Sequence, residues 1–433
     1  MLPVETSCTA PGSDPSAGGD RESEGLRGAL VSQLIQESWL TSATVERAMR
    51  TVPRHLFVPG ASLEAAYAQD TVAIKQDSQG RVISCASHPA IVAQMLEQLD
   101  VQPAHRILEL GTGTGYNAGL LAFLAGPEGL VTTVDVDDDL VDQARTHLTA
   151  AGFSNVSVVM GDGALGHLAG APYDRIVATV GAHGVPRAWF DQLAEGGRLL
   201  TPQRLRGSVC RSLAWERDPA RAGSWVSVSS EMNTFMPLRK GVADDAQIPV
   251  PLTEDGRVAL QTHPEHDLDA NAFTGVLTGP RAQVWTDVRV EGMESPEWME
   301  LYLTLTLPNG LNRLIYDPSA VKDGLLAESP YRSSGATFTD TSIAYLVQRP
   351  STTTSPEGRK LWDFGVVAHG PDRSQLAEQM ITALNAWNTE CRPRTASFRL
   401  RHTIPNDETP HTVRTDSTFR IRTPLNEIDV VWA

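Results

Sequence analysis

Leu108-Glu109-Leu110-Gly111-Thr112-Gly113-Thr114-Gly115-Tyr116 is the stretch on which the fold turns. A short apolar run, Arg106 to Leu110, leads into it, and a helical pattern, Asn117 to Leu124, leads out. A strand that ends in glycines and opens a helix is the first turn of a βαβ unit. Glycine lets the backbone turn sharply and lets a ligand approach it closely. The spacing is G-x-G-x-G, whereas a dinucleotide site reads G-x-G-x-x-G with the helix N-terminus aimed at a pyrophosphate. Glu109 stands two residues ahead of Gly111, where a carboxylate suits a cationic or amine-bearing ligand better than a diphosphate. Asp135 ends the next strand-like run, and an acid there can accept hydrogen bonds from both ribose hydroxyls. Gly161-Asp162-Gly163 follows the run after that, where a side chain could meet an adenine. Together these point to S-adenosylmethionine, held by Glu109, Gly111, Thr112, Gly113, Gly115, Asp135, Asp162 and Gly163. The alternative is a tight strand–helix turn that holds no ligand.

Outward from the turn, strand and helix patterns alternate. Helical faces are read at 30–35, at 45–52 behind an N-cap at Ser42, and at 91–99, 117–124 and 140–150. Strands are read at 106–110, 130–134, 156–160 and 175–179. Alternation of this kind predicts an α/β, doubly wound, Rossmann-like sheet. After about residue 207 the character changes. Leu301, Leu303, Leu305 and Leu307 alternate with Tyr302, Thr304 and Thr306, which predicts a half-buried strand. Further strands are read near 342–348, 362–368, 396–404 and 428–432, with one helix through Leu376, Met380, Ala383, Leu384 and Trp387 and a loop at 351–358. This half reads as a smaller α+β domain, and Trp298, Trp362 and Trp387 as its core. The organisation expected is a disordered tail at 1–25, a cofactor-binding catalytic domain at 26–238, and a C-terminal domain at 239–433.

Composition sets the bounds. A length of 433 residues predicts two or three domains. Asp plus Glu number 52 against 36 Lys plus Arg, a formal charge of −16, which disfavours a nucleic-acid partner. No run is apolar enough to span a membrane, and residues 1–20 carry neither a basic nor an apolar leader segment. Cys8, Cys85, Cys210 and Cys391 lie far apart with no C-x-x-C, which argues against a disulfide framework and a structural zinc site and fits a reducing cytoplasm.

Several segments resemble protein-L-isoaspartate O-methyltransferases. They are Val52-Pro53-Arg54-His55-Leu56-Phe57-Val58-Pro59, Ala66-Tyr67 with Asp70, the glycine turn, Gly161-Asp162-Gly163, Ala171-Pro172-Tyr173-Asp174, Gly196-Gly197-Arg198-Leu199 and Phe235-Met236-Pro237-Leu238. The resemblance covers 26–238 and implies that the Rossmann-like domain is of the class I methyltransferase type. It implies methyl transfer from S-adenosylmethionine to an aspartyl or isoaspartyl carboxylate in a peptide or protein. The ester then loses methanol to a succinimide, which hydrolyses to aspartate and isoaspartate.

Two departures bear on the substrate. The family carries a serine at the active-site lip, in a T-I-S-[QA]-P pattern. This chain reads Val82-Ile83-Ser84-Cys85-Ala86-Ser87-His88-Pro89, about three residues longer and with two candidate serines. Either Ser84 or Ser87 could bond the substrate carboxylate, or Ser87 could cap the helix that follows. Cys85 is read as inert packing. His183, just past a strand end, could approach the substrate acid or be a solvated loop residue. His263-Pro264-Glu265-His266-Asp267 is read as no metal site. The second departure is the extension beyond 238. Altered lip and extension together predict an altered substrate, and in this the chain resembles family members of ribosomal-peptide biosynthesis, of the lanthipeptide or graspetide kind; that resemblance implies a dedicated enzyme that methylates an aspartate and leaves isoaspartate or a retained aspartimide. The alternatives are general repair of isoaspartyl damage, and a cofactor-binding module without catalysis.

Overall fold

The computed structural model describes residues 15–433 except 79, 81, 234, 236–245, 267, 293, 328–332, 403–411 and 416–417. It divides into two units between Gly161 and Asp162.

The first unit opens with α1 (Pro15–Gln36), α2 (Ala43–Thr51) and α3 (Leu63–Ala66). Ser42 caps α2 as expected, its side chain accepting from the Val45 N–H. A hairpin of β1 (Val72–Gln76) and β2 (Val82–Ala86) leads to α4 (Pro89–Leu99). Then β3 (Arg106–Leu110), α5 (Tyr116–Ala125), β4 (Leu130–Asp135), α6 (Asp138–Ala150) and β5 (Val156–Met160) alternate. β4 pairs in parallel with β3 on one side and with β5 on the other, the arrangement the βαβ reading predicts. Ile107, Leu108, Leu110, Leu120, Leu121, Val131 and Val134 are buried between sheet and helices. The tail read at 1–25 needs correction. The helix begins at Pro15, and Ser23 within it is buried. A helix anchored by buried Leu30, Val31 and Leu34 is already nucleated, so its backward extension is spared the largest cost of helix formation. Residues 1–14 lie outside the described residues.

The second unit continues with β6 (Tyr173–Ala178), α7 (Arg187–Asp191), β7 (Leu193–Arg206), β8 (Val209–Arg217) and β9 (Ser224–Met232). β6 and β7 are parallel, and β7, β8 and β9 form an antiparallel meander. Strands β10 (Ile248–Pro251), β11 (Val258–Thr262), β12 (Arg281–Glu291), β13 (Asn312–Tyr316), β14 (Ser333–Phe338), β15 (Ile343–Thr354) and β16 (Lys360–His369) make a separate antiparallel sheet in the order β10-β11-β13-β14-β15-β16-β12. Phe273, Leu314, Phe338, Tyr345 and Val367 belong to its core. The chain then returns. β17 (Ala396–His402) pairs with β9 and with β20 (Asn426–Trp432), and β18 (Thr412–Thr415) and β19 (Thr418–Arg422) extend the row to β18-β19-β20-β17-β9-β8-β7-β6.

This return changes the domain reading. Strands from both sides of residue 238 share one sheet, with Arg399 opposite Val226 and Leu400 opposite Trp225. Pairing between residues some 170 apart leaves no trace in local periodicity, so the sequence pattern places a boundary where the chain only detours. The strand expected at 301–307 is a helix, Glu297–Thr306. Leu301, Tyr302, Leu303, Thr304 and Leu305 are all buried, and a helix covered on every side shows no 3.6-residue stripe. Of the three tryptophans read as core, Trp387 is buried, while Trp298 and Trp362 are half-buried. The loop read at 351–358 begins later, since β15 runs to Thr354. The segment Met236–Leu238, read as part of a closing strand, lies outside the described residues. Among the described residues no helix is long and apolar enough to cross a membrane.

Candidate functional site

The glycine turn is built as the spacing requires, but its three glycines do different work. Gly111, Gly113 and Gly115 all have positive φ, at 100°, 50° and 85°. A Cβ on Gly115 would lie 3.3 Å from both Ala144 Cβ and Leu148 Cγ, so that glycine admits α6. A Cβ on Gly113 would meet nothing within 4 Å. Gly113 faces open space in a conformation that side chains avoid, as a backbone reserved for a close ligand would be.

The acids hold this turn together. Asp135 Oδ2 accepts from the Gly113 N–H at 3.0 Å, and Oδ1 accepts from Val136 and Asp137 N–H at 2.8 and 3.2 Å. Glu109 is fully buried, with Thr133 Oγ1 donating to one carboxylate oxygen at 2.6 Å and Asn117 Nδ2 to the other at 2.8 Å. Thr133 Oγ1 is also 2.8 Å from Thr112 Oγ1, so one network links β3, β4, the turn and α5. Burial pushes the Glu109 carboxyl up to about 7, against the two donors that favour its anion, and nearby Asp135 adds to the rise. The sequence assigns Glu109 to a ligand amine; the structure instead commits both its oxygens to protein donors.

At the lip, Ser84 lies within β2, opposite Lys75 of β1, and Ser87 follows the strand; both are half-buried. The cap on α4 is His88, whose Nδ1 accepts from the Ala90 N–H at 3.3 Å, so the capping role weighed for Ser87 is taken by its neighbour. Lys75 ties the hairpin to the start of α6 through Asp137 at 3.3 Å and Asp139 at 2.6 Å. Burial raises the Cys85 thiol, as befits an inert one.

In the sequence, Arg54 is one letter of the 52–59 motif with no role of its own. The structure makes it the residue on which four motif segments meet. It is 1% exposed. Its Nε donates to the Ala66 carbonyl at 2.9 Å, and Nη2 donates to the carbonyls of Ser87 at 2.9 Å and Ala86 at 3.4 Å. Its guanidinium carbon is 5.1 Å from the centre of the Tyr116 ring. Burial lowers its pKa, and Nη1 is buried with no hydrogen-bond partner among the described residues. The signal in the sequence was an arginine set between Pro53 and an apolar run, where a solvated cation is out of place.

The remaining predicted residues belong to the second unit. Asp162 Oδ1 accepts from the Ala164 N–H at 2.9 Å and caps the short turn Gly163–Leu165, while the Gly163 carbonyl accepts from Trp189 Nε1 at 2.9 Å. His183 is 9% exposed rather than solvated, with Nδ1 3.4 Å from the Arg204 carbonyl. The loop that carries it is pinned by Asn426 of β20, which accepts from the Val185 N–H at 2.6 Å and donates to the Val185 carbonyl at 3.1 Å. Glu265 is engaged by Arg204 at 2.6 and 3.1 Å. Burial would raise its carboxyl, but Arg204 overrides this and holds it at about 2. Among the described residues no cluster of three or more His, Cys, Asp or Glu could hold a metal ion.

Comparison with known proteins gives this geometry a family. The chain is 40% identical over 173 residues to the protein-L-isoaspartate O-methyltransferase of Ignicoccus hospitalis, covering 40% of this chain and 79% of that protein. The chain belongs to the protein-L-isoaspartate O-methyltransferase family. A model of the family, Protein-L-isoaspartate(D-aspartate) O-methyltransferase (PCMT), matches residues 26–240. Protein-L-isoaspartate O-methyltransferase 2 of Archaeoglobus fulgidus is 38% identical over 216 residues, covering 49% of this chain and 92% of that protein. A solved protein-L-isoaspartate O-methyltransferase aligns at 20% identity and a TM-score of 0.47, covering 93% of this chain and 98% of that one. Within the family match, the segments 52–59, 66–67, 84–87 and 108–116 are those that Arg54 and Tyr116 draw together.

Proposed function

We propose that this chain is a carboxyl O-methyltransferase that esterifies L-isoaspartyl residues in proteins and peptides, opening a route to their repair through a succinimide. The cofactor is S-adenosylmethionine. The observation that carries the reading is the open glycine turn at Gly113, braced by Asp135 and Glu109 and joined by Arg54 to a serine-bearing lip. The residues fit the cofactor: Gly113 leaves room for it, and Asp135 at the end of β4 puts a carboxylate beside that space.

When bound, S-adenosylmethionine supplies a methyl group already activated on a sulfonium. A substrate carboxylate with an ordinary pKa of about 4 is ionised at neutral pH, so neither a strong base nor a metal is needed. The protein's task is positioning and charge compensation. Ser84 or Ser87 donates a hydroxyl hydrogen bond to the substrate carboxylate. Arg54 holds the Ser87 backbone in place and adds a buried positive charge beside it. Asp135, Asp162 and Gly163 would hold the cofactor, and His183 would contact the substrate. Three described cysteines are free, which supports a cytoplasmic setting.

A second reading, a dedicated enzyme acting on one aspartate of a biosynthetic peptide, draws support from the extension, whose β20 pins the loop of His183. One experiment separates the two. The full chain is incubated with S-adenosylmethionine and a short linear isoaspartyl peptide, its aspartyl counterpart, or a cyclised acidic peptide. Mass spectrometry follows the gain of a methyl group and the later loss of methanol. Methylation of the linear isoaspartyl peptide supports repair. Methylation of only the cyclised aspartyl peptide supports the dedicated reading. No methylation of any acid-bearing peptide or protein overturns both.

A further inference from the structure

The chemistry proposed above gives no part to the ion pairs of Lys75, yet their placement in the first unit is specific. Lys75 lies in β1, and β1 and β2 form a two-stranded sheet that pairs with no other described strand. Of the residues in these two strands only Ala86 is buried, so little apolar packing holds the hairpin in place. A two-stranded hairpin by itself is marginally stable in water. Polar ties to its neighbours fix this one. At the end of β2, Arg54 Nη2 donates to the carbonyls of Ala86 and Ser87, and the same guanidinium lies against the ring of Tyr116, the first residue of α5. In β1, the Lys75 ammonium is 2.6 Å from Asp139 Oδ1 and 3.3 Å from Asp137 Oδ2. Asp137 is the N-cap of α6, and Asp139 lies in its first turn.

These ties locate the hairpin. α5 follows β3, α6 follows β4, and β3 and β4 are parallel neighbours. The N-termini of both helices therefore stand at the carboxyl ends of the two strands, where a sheet of this kind binds its ligand. A hairpin tied to both helix ends crosses the space in front of Gly113. The link to the turn is short: Asp137 N–H donates to Asp135 Oδ1, and Asp135 Oδ2 accepts from the Gly113 N–H. Lys75 also stands directly across the strands from Ser84. Directly opposed residues of an antiparallel pair project from one face. The face from which Lys75 reaches α6 is thus the face that carries Ser84. Asp139 accepts from the Lys75 ammonium and, with Asp137 adding to it, holds the lysine above its ordinary pKa, so the pairs are intact at neutral pH.

We propose that Lys75 is a positioning residue for methyl transfer: its pairs with Asp137 and Asp139 hold the β1–β2 hairpin, and Ser84 with it, across the cofactor space, and they break when the cofactor exchanges. The proposal rests on the methyltransferase reading above.

The test uses the full chain as wild type, Lys75→Met, Lys75→Arg and the double variant Asp137→Asn with Asp139→Asn. Three quantities are measured. They are the release rate of tritiated S-adenosylhomocysteine, the demethylated cofactor, during a chase with unlabelled compound; hydrogen exchange of the 72–76 and 82–86 amides in the ligand-free protein; and kcat and KM for an isoaspartyl peptide. Lys75→Met should speed release about fivefold, the worth of an ion pair of this exposure. It should speed exchange of the hairpin amides, leave those of β3 and β4 unchanged, and lower kcat more than it raises KM. The double variant should match it, and adding Lys75→Met to the double variant should change nothing further. Lys75→Arg should keep the wild-type release rate. Raising sodium chloride from about 0.05 to about 0.5 M should speed release from wild type and leave Lys75→Met nearly unchanged, since salt screens a pair only where one exists. Equal release from wild type and Lys75→Met overturns the proposal, as does a salt dependence that survives the substitution. Faster release without faster hairpin exchange assigns the effect to charge near the cofactor and overturns it too. If calorimetry shows that wild type binds neither S-adenosylmethionine nor S-adenosylhomocysteine, the methyltransferase reading fails and the proposal with it. Binding with release indifferent to Lys75 sinks the proposal alone.

Discussion

Replacing Glu109 with glutamine should make the protein more stable at alkaline pH, and the structure sets the size of the effect. Burial holds the folded-state carboxyl at about 7, against an ordinary value of 4.5. Two and a half pH units correspond to about 3 kcal/mol. The direction follows from where each state binds its proton. Below about pH 4.5 both the folded and unfolded carboxyls are protonated, and the group contributes no pH dependence. Between about 4.5 and 7 the unfolded chain has released the proton and the folded chain retains it, so stability falls as pH rises. Above about 7 the full cost of an ionised, desolvated carboxylate is present. Glutamine keeps the shape and the network. Its Oε1 can accept from Asn117, and its Nε2 can donate to Thr133, whose hydroxyl then turns to Thr112, 2.8 Å away. Urea unfolding of wild type and Glu109→Gln from pH 5 to pH 8 should therefore show curves that converge toward the acid end and part by about 3 kcal/mol at the alkaline end, the variant being the more stable. A difference independent of pH across that range would refute the account of Glu109 as a desolvated acid.

The same group should report on the ligand. A cation bound near a carboxyl poised at about 7 draws it toward the ionised form, so S-adenosylmethionine should bind at pH 7 with release of a fraction of a proton. Calorimetry in two buffers of different ionisation enthalpy checks this, and equal heats would place the cofactor's charge away from Glu109. Gly113→Val puts a side chain into the open space of the turn at φ 50° and should abolish cofactor binding; retained affinity by calorimetry would move the site elsewhere. Ser87→Ala should lower turnover and leave cofactor affinity unchanged, whereas unaltered turnover would leave Ser87 only its carbonyl role toward Arg54. Asn426→Ala strips two hydrogen bonds from Val185, a loss of about 2 kcal/mol for buried backbone groups. It should reduce turnover more than cofactor binding, and equal effects on both would deny the His183 loop a part in substrate contact.

The site was legible in parts. The glycine spacing located the turn and its strand and helix, because strand, turn and helix are consecutive and each follows from local pattern. Ser84, Ser87 and Asp135 could be named as candidates from their place relative to that turn. Arg54 and Arg204 could not be given roles, since a cation's partner is set by which distant carbonyl or carboxylate is buried beside it. For Arg54 these are Ala66, Ala86 and Ser87.

By itself, then, the amino-acid order determined the alternation of β3, α5, β4, α6 and β5, the sharp turn at Gly111 to Gly115, and the acid at the end of β4. These depend on periodicity and backbone freedom within a few residues. Tertiary structure alone decided that 297–306 is a helix, that Glu109 is spent on Thr133 and Asn117, and that 396–432 closes onto β9 to pin the His183 loop. Burial and long-range pairing choose among partners that no local pattern can distinguish, because the free energy of a buried group depends on what surrounds it in space and not on its neighbours in the chain.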